Sequence, residues 1–334
     1  MQKETAIRAQ TEFATEVREG LTAFPKHLSS KYFYDEKGDA LFQDIMAMPE
    51  YYLTDAEFEI LERQKEAISA HFSKDTGAFD LFELGAGDGK KTKILLKHLL
   101  DNGHDFAYKP IDISQNALNQ LQEKLLQELP NLAVTPLQGT YFETLKAIGQ
   151  QQGKRKVILF LGSNIGNLLH PNAIDFLRRL KDAMQDNDLL FMGMDQKKNP
   201  QTILDAYNDA SGITEAFNKN ILRRINDELG GNFDLDNFIH WEAYDPETGT
   251  AKSYLVSKVK QQITIGALEL TVSFEPWETI HTEISQKYDD ATVSWLADQS
   301  GLEIVTSFED NNHLFKDYLL KKASIWKPYG TVRS

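Results

Sequence analysis

The stretch Asp80-Leu81-Phe82-Glu83-Leu84-Gly85-Ala86-Gly87-Asp88-Gly89-Lys90-Lys91-Thr92 decides the fold of this 334-residue chain. An apolar run that ends at Leu84 predicts a short buried strand, and the leucine-rich segment after Lys91 predicts a helix. Between them lies a glycine turn, where glycine allows positive φ angles and lets a ligand approach the backbone closely. A helix that begins behind such a turn favours a negatively charged group at its N-terminus. The stretch therefore predicts a strand–turn–helix unit that can bind a ligand.

The spacing of the glycines distinguishes between binding sites for two kinds of nucleotide-like ligand. A dinucleotide site uses G-x-G-x-x-G, with an acidic ribose contact about 20 residues further on. Here the pattern is G-x-G-x-G, and Glu83 stands two residues before Gly85. That pattern is typical of sites for S-adenosylmethionine (SAM), and Asp112, at the end of the next apolar strand, can hold the two ribose hydroxyls. A strand–turn–helix unit whose glycines serve only tight packing has the same local pattern, because G-x-G-x-G alone has low specificity.

Composition narrows the class of protein. The net charge of −14 argues against a nucleic-acid partner, because phosphate binding needs clustered lysine and arginine. The chain has no cysteine, which excludes thiol chemistry, and its eight histidines lack H-x-H or H-E-x-x-H spacing, so we expect no metal site. No apolar run approaches the roughly 20 residues that span a bilayer, and Met1-Gln2-Lys3-Glu4 does not begin a signal peptide. We expect a cytoplasmic protein that acts on a small molecule, without a membrane partner, and a monomer is compatible with the sequence.

Alternating strands and helices from residue 79 predict an α/β fold with a doubly wound, Rossmann-like sheet. The predicted strands are Phe79–Leu84, Phe106–Ile113, Ala133–Gln138, Lys156–Gly162 and Asp188–Met194. The predicted helices are Lys91–Leu100, Gln115–Leu129 behind a Ser114 cap, and Ala173–Met184. Ligands of such sheets bind beyond the carboxyl ends of the strands, where the glycine turn, Asp112 and the segment 162–167 fall.

The alternation is interrupted between residues 195 and 288. Two predicted helices there, Thr202–Ala210 and Thr214–Leu229, precede segments that predict a small antiparallel sheet: Lys252–Val259, Gln262–Ile265, Leu268–Phe274 and Thr279–Tyr288. The earlier pattern resumes with a helix at Ala291–Gln299 and strands at Glu303–Phe308 and Phe315–Lys322. Near the N-terminus we predict helices at Thr11–Phe24 and Phe42–Met48, a loop at 32–39, and a helix at Asp55–Phe72 capped by Thr54. We expect a SAM-binding domain at 60–195 and 288–334, and an α+β substrate-binding or lid domain at 1–59 and 196–287.

A set of separate motifs, in one order along nearly the whole chain, is more specific than the glycine turn. Besides Glu83–Thr92, the motifs are Tyr32-Phe33-Tyr34-Asp35, Leu41-Phe42, Pro49-Glu50-Tyr51-Tyr52-Leu53-Thr54, Phe160-Leu161-Gly162-Ser163-Asn164-Ile165-Gly166-Asn167-Leu168, Ala206-Tyr207-Asn208-Asp209, Ala216-Phe217-Asn218 and Thr282-Glu283-Ile284-Ser285. By these motifs the chain resembles the histidine-specific, SAM-dependent methyltransferase family. The resemblance implies a class I methyltransferase sheet. It also implies transfer of the SAM methyl group to the α-amine of L-histidine, in up to three rounds that give the betaine hercynine.

The resemblance also implies the site residues. Those at the substrate are Phe42, Tyr51, Gly162, Asn167, Tyr207, Glu283 and Ser285. Asn167 and Tyr207 are expected on the carboxylate of the amino acid, and Glu283 and Ser285 on the imidazole ring. Tyr34 is the catalytic candidate, which orients the amine or relays its proton. Those at SAM are Glu83, Gly85, Gly87, Lys91, Asp112, Thr140 and Tyr141.

Two positions depart from the family pattern. Thr140 stands where the family commonly has an acidic residue for the adenine amino group, and Ser253 stands where a family member has a methionine against the substrate. A neutral hydroxyl accepts a weaker hydrogen bond than a carboxylate, which predicts either a lower affinity for SAM or another group that substitutes for the acid. Ser253 predicts a roomier or more polar substrate pocket. Two alternatives therefore stay open: methylation of another amino acid, such as a tryptophan derivative, and a SAM- or amino-acid-binding protein without turnover.

Overall fold

The structure is a computed structural model that describes residues 2–150 and 153–324, without the side chains of 2–11, 141, 142, 146 and 147. The chain divides into two compact units. Unit 1 comprises the residues up to Tyr52 together with Lys198–Ser285, and unit 2 comprises Leu53–Lys197 together with the residues from Gln286 onward. The roles that the sequence suggests for the two domains stay a prediction.

The helices and strands alternate through most of unit 2 and are grouped in unit 1. The helices are α1 Gln2–Thr22, α2 Glu36–Met46, α3 Tyr52–Ser73, α4 Thr92–Asp101, α5 Gln115–Glu128, α6 Tyr141–Gln150, α7 His170–Ala183, α8 Pro200–Tyr207, α9 Ile213–Leu229 and α10 Asp290–Ser300. The strands are β1 Lys26–His27, β2 Ala78–Leu84, β3 Asp105–Asp112, β4 Ala133–Val134, β5 Leu137–Gln138, β6 Arg155–Phe160, β7 Leu189–Asp195, β8 Phe238–Asp245, β9 Thr250–Ser257, β10 Gln261–Ile265, β11 Leu270–Phe274, β12 Thr279–Gln286, β13 Leu302–Glu309 and β14 Phe315–Lys322. Short 3-10 helices lie at Ser30–Phe33, Asn164–Asn167, Leu235–Asn237 and Gly266–Leu268.

Unit 2 contains a mixed sheet in the order β13-β14-β7-β6-β2-β3-β4, in which β5 also pairs with β3. The strands from β7 to β4 pair in parallel, and β14 runs antiparallel to both β7 and β13. This topology confirms the predicted doubly wound α/β fold. The chain leaves β2 for β3 on one side and later adds β6 on the other, so the strand order reverses beside β2. Ligand sites of open α/β sheets form at such a reversal, at the carboxyl ends of the strands.

Unit 1 contains a four-stranded sheet in the order β1-β12-β9-β8 and a separate hairpin of β10 and β11. Helix α9 packs on β8 and β9 with a face of buried apolar residues that includes Ile221 and Ile225. The prediction of one antiparallel sheet was wrong in two respects, because β10 and β11 form a separate two-stranded sheet and β1 joins β12 in parallel. Strand β8 was not predicted, since its inward positions include the polar residues His240 and Glu242, which hide the apolar alternation.

Several helices and strands begin or end at other residues than the sequence predicted. Helix α3 begins at Tyr52, so Thr54 lies inside its first turn and the predicted Thr54 cap was wrong. Helix α2 begins inside the predicted loop, because the side chain of Asp35 accepts from the Gly38 backbone N–H at 2.7 Å and caps it. The predicted strand 133–138 is split around Pro136, which has no N–H to donate. The Ser114 cap is confirmed by its bond from Ala117 N–H at 3.2 Å.

Candidate functional site

The glycine turn after β2 holds its glycines in left-handed conformations, as predicted. The φ angle is +71° at Gly85, +52° at Gly87 and +65° at Gly89, a region that favours glycine. The backbone N–H of Gly85 donates to the carbonyl oxygen of Ile111 at 2.9 Å, which ties the turn to β3. A Cβ atom built on Gly87 would meet no atom within 4 Å. Open space therefore lies beside the turn, where a ligand can approach the backbone.

The carboxylate of Glu83 is buried beneath this turn. Its Oε1 accepts from the Thr92 hydroxyl at 2.5 Å, and its Oε2 accepts from the Tyr108 hydroxyl. Burial raises the pKa of Glu83 to about 7, although both hydroxyls favour the ionised form. Glu83 thus links β2, β3 and the start of α4. Its contact with SAM stays a prediction, and two of its acceptor positions are already used internally.

Lys91 is held by a buried carboxylate on α3. Its ammonium pairs with Glu57, whose side chain is fully buried. The backbone N–H of Gly162 donates to both Glu57 oxygens, at 2.8 and 3.0 Å, and a Cβ atom on Gly162 would lie 3.5 Å from Lys91 Nζ. Glu57 therefore brings together two predicted site residues from the carboxyl ends of β2 and β6. It was not predicted, although its place in the apolar spacing Leu53, Glu57, Ile60 is a signal.

A second buried acid, Asp317 on β14, lies beside Glu57. A Cβ atom built on Gly193 would lie 3.0 Å from Asp317 Oδ1 and would also contact Glu57 Oε1. Burial raises the pKa of Asp317 well above its usual range, and the negative charge of Glu57 acts in the same direction. Burial opposes the charge on Lys91, but Glu57 raises the pKa of that ammonium above its ordinary value. The arrangement fits a protonated Asp317 beside an ionised Glu57–Lys91 pair.

Asp112 and Thr140 lie at the neighbouring ends of β3 and β5. Asp112 is partly exposed and its Oδ1 accepts from Ser114 N–H at 2.9 Å, while its carbonyl accepts from Gly139 N–H at 3.1 Å. The Thr140 hydroxyl and N–H both donate to Glu143 Oε2 at 3.0 Å. A carboxylate is therefore present next to the position where the family pattern has its acid. The T-x-x-E spacing of a capping box could have revealed Glu143 from the sequence.

Two more predicted site residues of unit 2, Asn167 and Tyr141, lie at the ends of short elements. Asn167 ends the 3-10 helix after β6 and is exposed. Tyr141 begins α6, and its side chain lies outside the described residues. Their contacts with the substrate and with SAM stay predictions.

Unit 1 brings the predicted aromatic residues into one cluster. The ring centroids are 5.5 Å apart for Tyr34 and Phe42, 6.3 Å for Phe42 and Tyr51, and 6.3 Å for Tyr51 and Tyr207. Phe217 on α9 packs against Tyr34 at 5.5 Å and Phe42 at 5.8 Å. Phe217 belongs to the motif Ala216-Phe217-Asn218, and the sequence predicted no role for it. We call these five rings the aromatic wall, and their contact with the substrate stays a prediction.

Tyr34 keeps its proton at neutral pH. Burial of its hydroxyl raises its pKa well above the ordinary value, and the negative charge of Glu283 adds to the rise, although 44% of the residue surface is exposed. A phenol with a raised pKa can donate a hydrogen bond but is a poor base. Tyr34 is therefore suited to orient a substrate group.

Tyr207 joins the aromatic wall to the predicted polar contacts on β12. Its hydroxyl lies 2.7 Å from Ser285 Oγ. Its carbonyl oxygen lies 2.8 Å from Nε2 of His240, whose Nδ1 lies 2.8 Å from the side-chain nitrogen of Asn218. Burial lowers the pKa of His240, so a neutral ring that donates to Tyr207 and accepts from Asn218 fits this geometry. His240 was not predicted, and it holds the end of α8 on β8.

Glu283 lies two residues before Ser285 on β12, which is the neighbour of β9 in the unit 1 sheet. Its Oε2 is 3.4 Å from the hydroxyl of Ser253 on β9. Ser253 is only 3% exposed, and it donates to Glu242 Oε2 at 2.7 Å. The serine at position 253, which departs from the family pattern, is therefore hydrogen-bonded to a second carboxylate, that of Glu242, beside Glu283. Glu242 was not predicted, because it lies on the strand that the sequence did not reveal.

Comparison with known proteins decides the family. The family model described as histidine-specific methyltransferase, SAM-dependent, matches residues 13–322. The chain belongs to this family. The histidine N-alpha-methyltransferase of Mycolicibacterium smegmatis is 36% identical, covering 86% of this chain and 88% of that protein. That of Mycobacterium tuberculosis is 34% identical, covering 88% and 90%. A 4-dimethylallyltryptophan N-methyltransferase of Claviceps fusiformis is 26% identical, covering 96% and 94%.

The chain is thus a SAM-dependent methyltransferase, and the prediction of SAM as cofactor is confirmed. The residues of unit 2 fit this ligand. The space beside Gly87 admits it, the ammonium of Lys91 suits its carboxylate, and the partly exposed Asp112 suits the ribose hydroxyls. Within the described part of the chain, no helix has the length and apolar character to cross a membrane, and no cluster of acidic and histidine side chains could hold a metal ion.

In this methyltransferase, Asp209 joins the motif around Tyr207 to the start of α9. Its Oδ1 accepts from Thr214 N–H at 2.8 Å and from the Thr214 hydroxyl at 2.7 Å, and its Oδ2 accepts from Ile213 N–H at 3.0 Å. Burial acts to raise the pKa of Asp209, but the hydrogen bonds from Ser211 and Thr214 outweigh it and hold that pKa well below its usual range.

Replacing Asp209 with alanine is expected to lower the free energy of unfolding by about 2 kcal/mol at pH 7, because the N–H groups of α9 lose their acceptor. The folded-state pKa is depressed, so this stabilisation is present above the unfolded-state pKa and is lost as the pH falls through the folded one. Urea unfolding at pH 7 and pH 3 should show the difference between wild type and variant shrinking in acid. A difference that is constant with pH would contradict the role of the ionised carboxylate.

Proposed function

We propose that the chain transfers the methyl group of SAM to the α-amino nitrogen of L-histidine, in up to three rounds that give hercynine. The observation that carries the proposal is a group of polar side chains next to the aromatic wall. Glu283 and Ser285 both lie on β12, and the Tyr207 hydroxyl is hydrogen-bonded to Ser285. A carboxylate accepts from one ring N–H of imidazole, and a hydroxyl can serve the other nitrogen. The two mycobacterial relatives, named histidine N-alpha-methyltransferase, support the same substrate.

The α-carboxylate of the substrate needs donors, and the chain offers two of suitable chemistry. The phenol of Tyr207 and the amide of Asn167 both donate to carboxylates. We propose them as carboxylate contacts, with Gly162 as a further contact of the substrate. Phe42 and Tyr51 shape the pocket near the amine.

The reacting amine attacks as the neutral form. When bound, SAM supplies an electrophilic methyl group on its sulfonium. Tyr34 keeps its proton, and its phenol oxygen orients the amine by accepting a hydrogen bond from an amine N–H, which leaves the nitrogen lone pair free to attack. The proton that the ammonium form loses before each attack goes to water, and S-adenosylhomocysteine leaves as the C–S bond breaks. Fixing the amine in line with the methyl group supplies most of the rate, because effective molarities of aligned reactants are large. Each round removes an amine N–H, so the aromatic wall has to accept the added methyl groups.

A competition experiment tests the substrate. The protein is incubated with SAM and an equimolar mixture of the twenty amino acids, and the products are followed by mass spectrometry. We expect histidine alone to gain one to three methyl groups. Methylation of tryptophan or another amino acid instead would overturn the histidine assignment while leaving the enzyme class intact. If no amino acid is methylated although S-adenosylhomocysteine binds, the assignment to free amino acids fails.

A further inference from the structure

The segment that carries Tyr34, the catalytic candidate, is a single tight turn. Tyr34 has φ −88° and ψ 88°, and the Asp35 N–H donates to the Phe33 carbonyl oxygen at 3.3 Å. A hydrogen bond between residues two apart, with such angles at the residue between them, is an inverse γ-turn. One hydrogen bond of this length holds a turn weakly. The position of the Tyr34 ring therefore depends on what else holds the two ends of the turn.

Helix α9 holds both ends of the turn through the side-chain amide of Asn220. Its Nδ2 donates to the Phe33 carbonyl oxygen at 3.1 Å and to Asp35 Oδ1 at 2.8 Å. Both partners are acceptors, so only the nitrogen of the amide can face them. Asp35 Oδ1 also accepts from the Gly38 N–H at 2.7 Å. One amide group therefore bridges the turn and is linked to the start of α2.

The same face of α9 also contacts the ring of Tyr34. Phe217 lies three residues before Asn220, and its ring centroid is 5.5 Å from that of Tyr34. Arg224 lies four residues after Asn220 and donates to the Tyr32 carbonyl oxygen at 2.9 Å. Residues three and four apart are neighbours on one face of a helix. This face therefore holds the backbone before the turn, the two ends of the turn and the ring itself.

Stability alone does not account for an asparagine at position 220. The residue is fully buried, and its side-chain oxygen has no hydrogen-bond partner within residues 2–150 and 153–324. A buried acceptor without a partner costs free energy. An apolar side chain would avoid that cost, but it would leave the turn with its one long hydrogen bond. The amide is therefore placed for its two donors, at the turn of the residue that is proposed to orient the amine.

We propose that Asn220 is a positioning residue for the methyl-transfer step: by bridging the ends of the turn at Tyr34, it fixes where the phenol oxygen meets the reacting amine. The inference rests on the proposed function, in which Tyr34 orients that amine. Displacement of a reacting group by about 1 Å can cost roughly a hundredfold in rate. Asn220 therefore acts on kcat through Tyr34, and it leaves the contacts of the ring and the carboxylate of the substrate unchanged.

A double-mutant cycle tests the inference. The values of kcat and KM for L-histidine at saturating SAM are measured for wild type, Asn220→Leu, Tyr34→Phe and the double variant. Leucine is branched like asparagine but has no donor, and Asn220→Ala is the second variant if leucine prevents folding. The matched control is Asn226→Leu on the same helix, since Asn226 also holds a backbone segment, through the carbonyl oxygen and the N–H of Phe233, both at 2.8 Å. Binding of S-adenosylhomocysteine, whose predicted contacts all lie in unit 2, checks that each variant is folded.

We expect Tyr34→Phe to lower kcat by about tenfold, as fits the loss of one hydrogen bond. Asn220→Leu should lower kcat by about fivefold to tenfold with KM little changed. The double variant should lose about tenfold, and not the product of the two losses, because Asn220 acts through the Tyr34 hydroxyl. Asn226→Leu should keep the wild-type kcat. Losses that multiply in the double variant are those of a merely structural residue and overturn the inference, as does a loss that falls on KM alone.

The same data distinguish failure of the inference from failure of the proposed function. If Tyr34→Phe lowers kcat and neither Asn220 variant does, the inference fails and the proposed function stands. If Tyr34→Phe keeps the wild-type kcat, the orienting role of Tyr34 fails together with the inference, while the methylated product still identifies the substrate. If another amino acid is methylated in place of histidine, the histidine assignment fails, and the cycle measured with that amino acid decides the inference. If no amino acid is methylated, both fail.

Discussion

Replacing Glu283 with alanine is expected to lower kcat/KM for L-histidine by about a hundredfold to a thousandfold. The substitution removes the charged acceptor of a ring N–H in a partly desolvated pocket, and loss of one partner of such a contact costs about 2–5 kcal/mol. The loss should fall mainly on KM, since the ring lies away from the reacting amine. Initial rates at varied histidine and saturating SAM measure it.

Two controls make this result specific. Glu247→Ala removes an exposed carboxylate of unit 1 and should leave kcat/KM unchanged. The affinity of Glu283→Ala for S-adenosylhomocysteine should also match wild type, because the predicted SAM residues all lie in unit 2. Wild-type kcat/KM in Glu283→Ala would contradict the assignment of the ring contact.

Replacing Glu57 with leucine is expected to lower the free energy of unfolding by about 3–5 kcal/mol, because it leaves the Lys91 ammonium without its buried partner. The Gly162 N–H also loses its acceptor. We further expect weaker binding of S-adenosylhomocysteine by tenfold or more, as Lys91 is no longer held at the carboxyl end of β2 (a charge-assisted bond is worth roughly that much). Urea unfolding and calorimetry measure the two effects.

Asp317→Asn is the matched comparison, since Asp317 lies beside Glu57 but is expected to be protonated. An amide resembles the neutral acid, so the variant should be close to wild type in stability at acid pH, where Asp317 is protonated in both the folded and the unfolded chain. The raised folded-state pKa of Asp317 means that its contribution to stability is full below its unfolded-state pKa and is lost as the pH rises through the folded one. The stability of the variant relative to wild type should therefore increase from acid toward alkaline pH. A large loss in Asp317→Asn with little loss in Glu57→Leu would contradict the proposed charge distribution.

The sequence predicted the sheet of unit 2 well because its signals are local. The apolar run into Gly85 and the alternation of strands and helices depend on periodicity, and the structure confirms both. Strand β8 could not be predicted in the same way. Its inward face carries His240 and Glu242, and only the tertiary contacts of these side chains explain why polar residues are buried there.

The residues of the candidate site show the same difference between local sequence patterns and tertiary contacts. Tyr34 and Ser285 were predicted from motifs, and in unit 1 they contact two other predicted residues, Phe42 and Tyr207, while their contacts with the substrate stay a prediction. Asp317 and Glu242 were missed, because one acidic residue in a strand has no pattern that distinguishes burial from exposure. Glu57 was also missed, although the apolar residues Leu53 and Ile60 mark its face of the helix as buried. Their significance depends on pairing with residues far away in the chain, such as Glu57 with Gly162.

The position of the transferred methyl group is the most direct test of the proposed function. The protein is incubated with SAM and L-histidine alone, and the product is fragmented by tandem mass spectrometry to locate each methyl group. Because Glu283 and Ser285 are proposed to hold the ring, all added methyl groups are expected on the α-nitrogen, with the imidazole unmodified. A methyl group on an imidazole nitrogen would show that the ring, and not the amine, faces the cofactor, and would contradict the proposal.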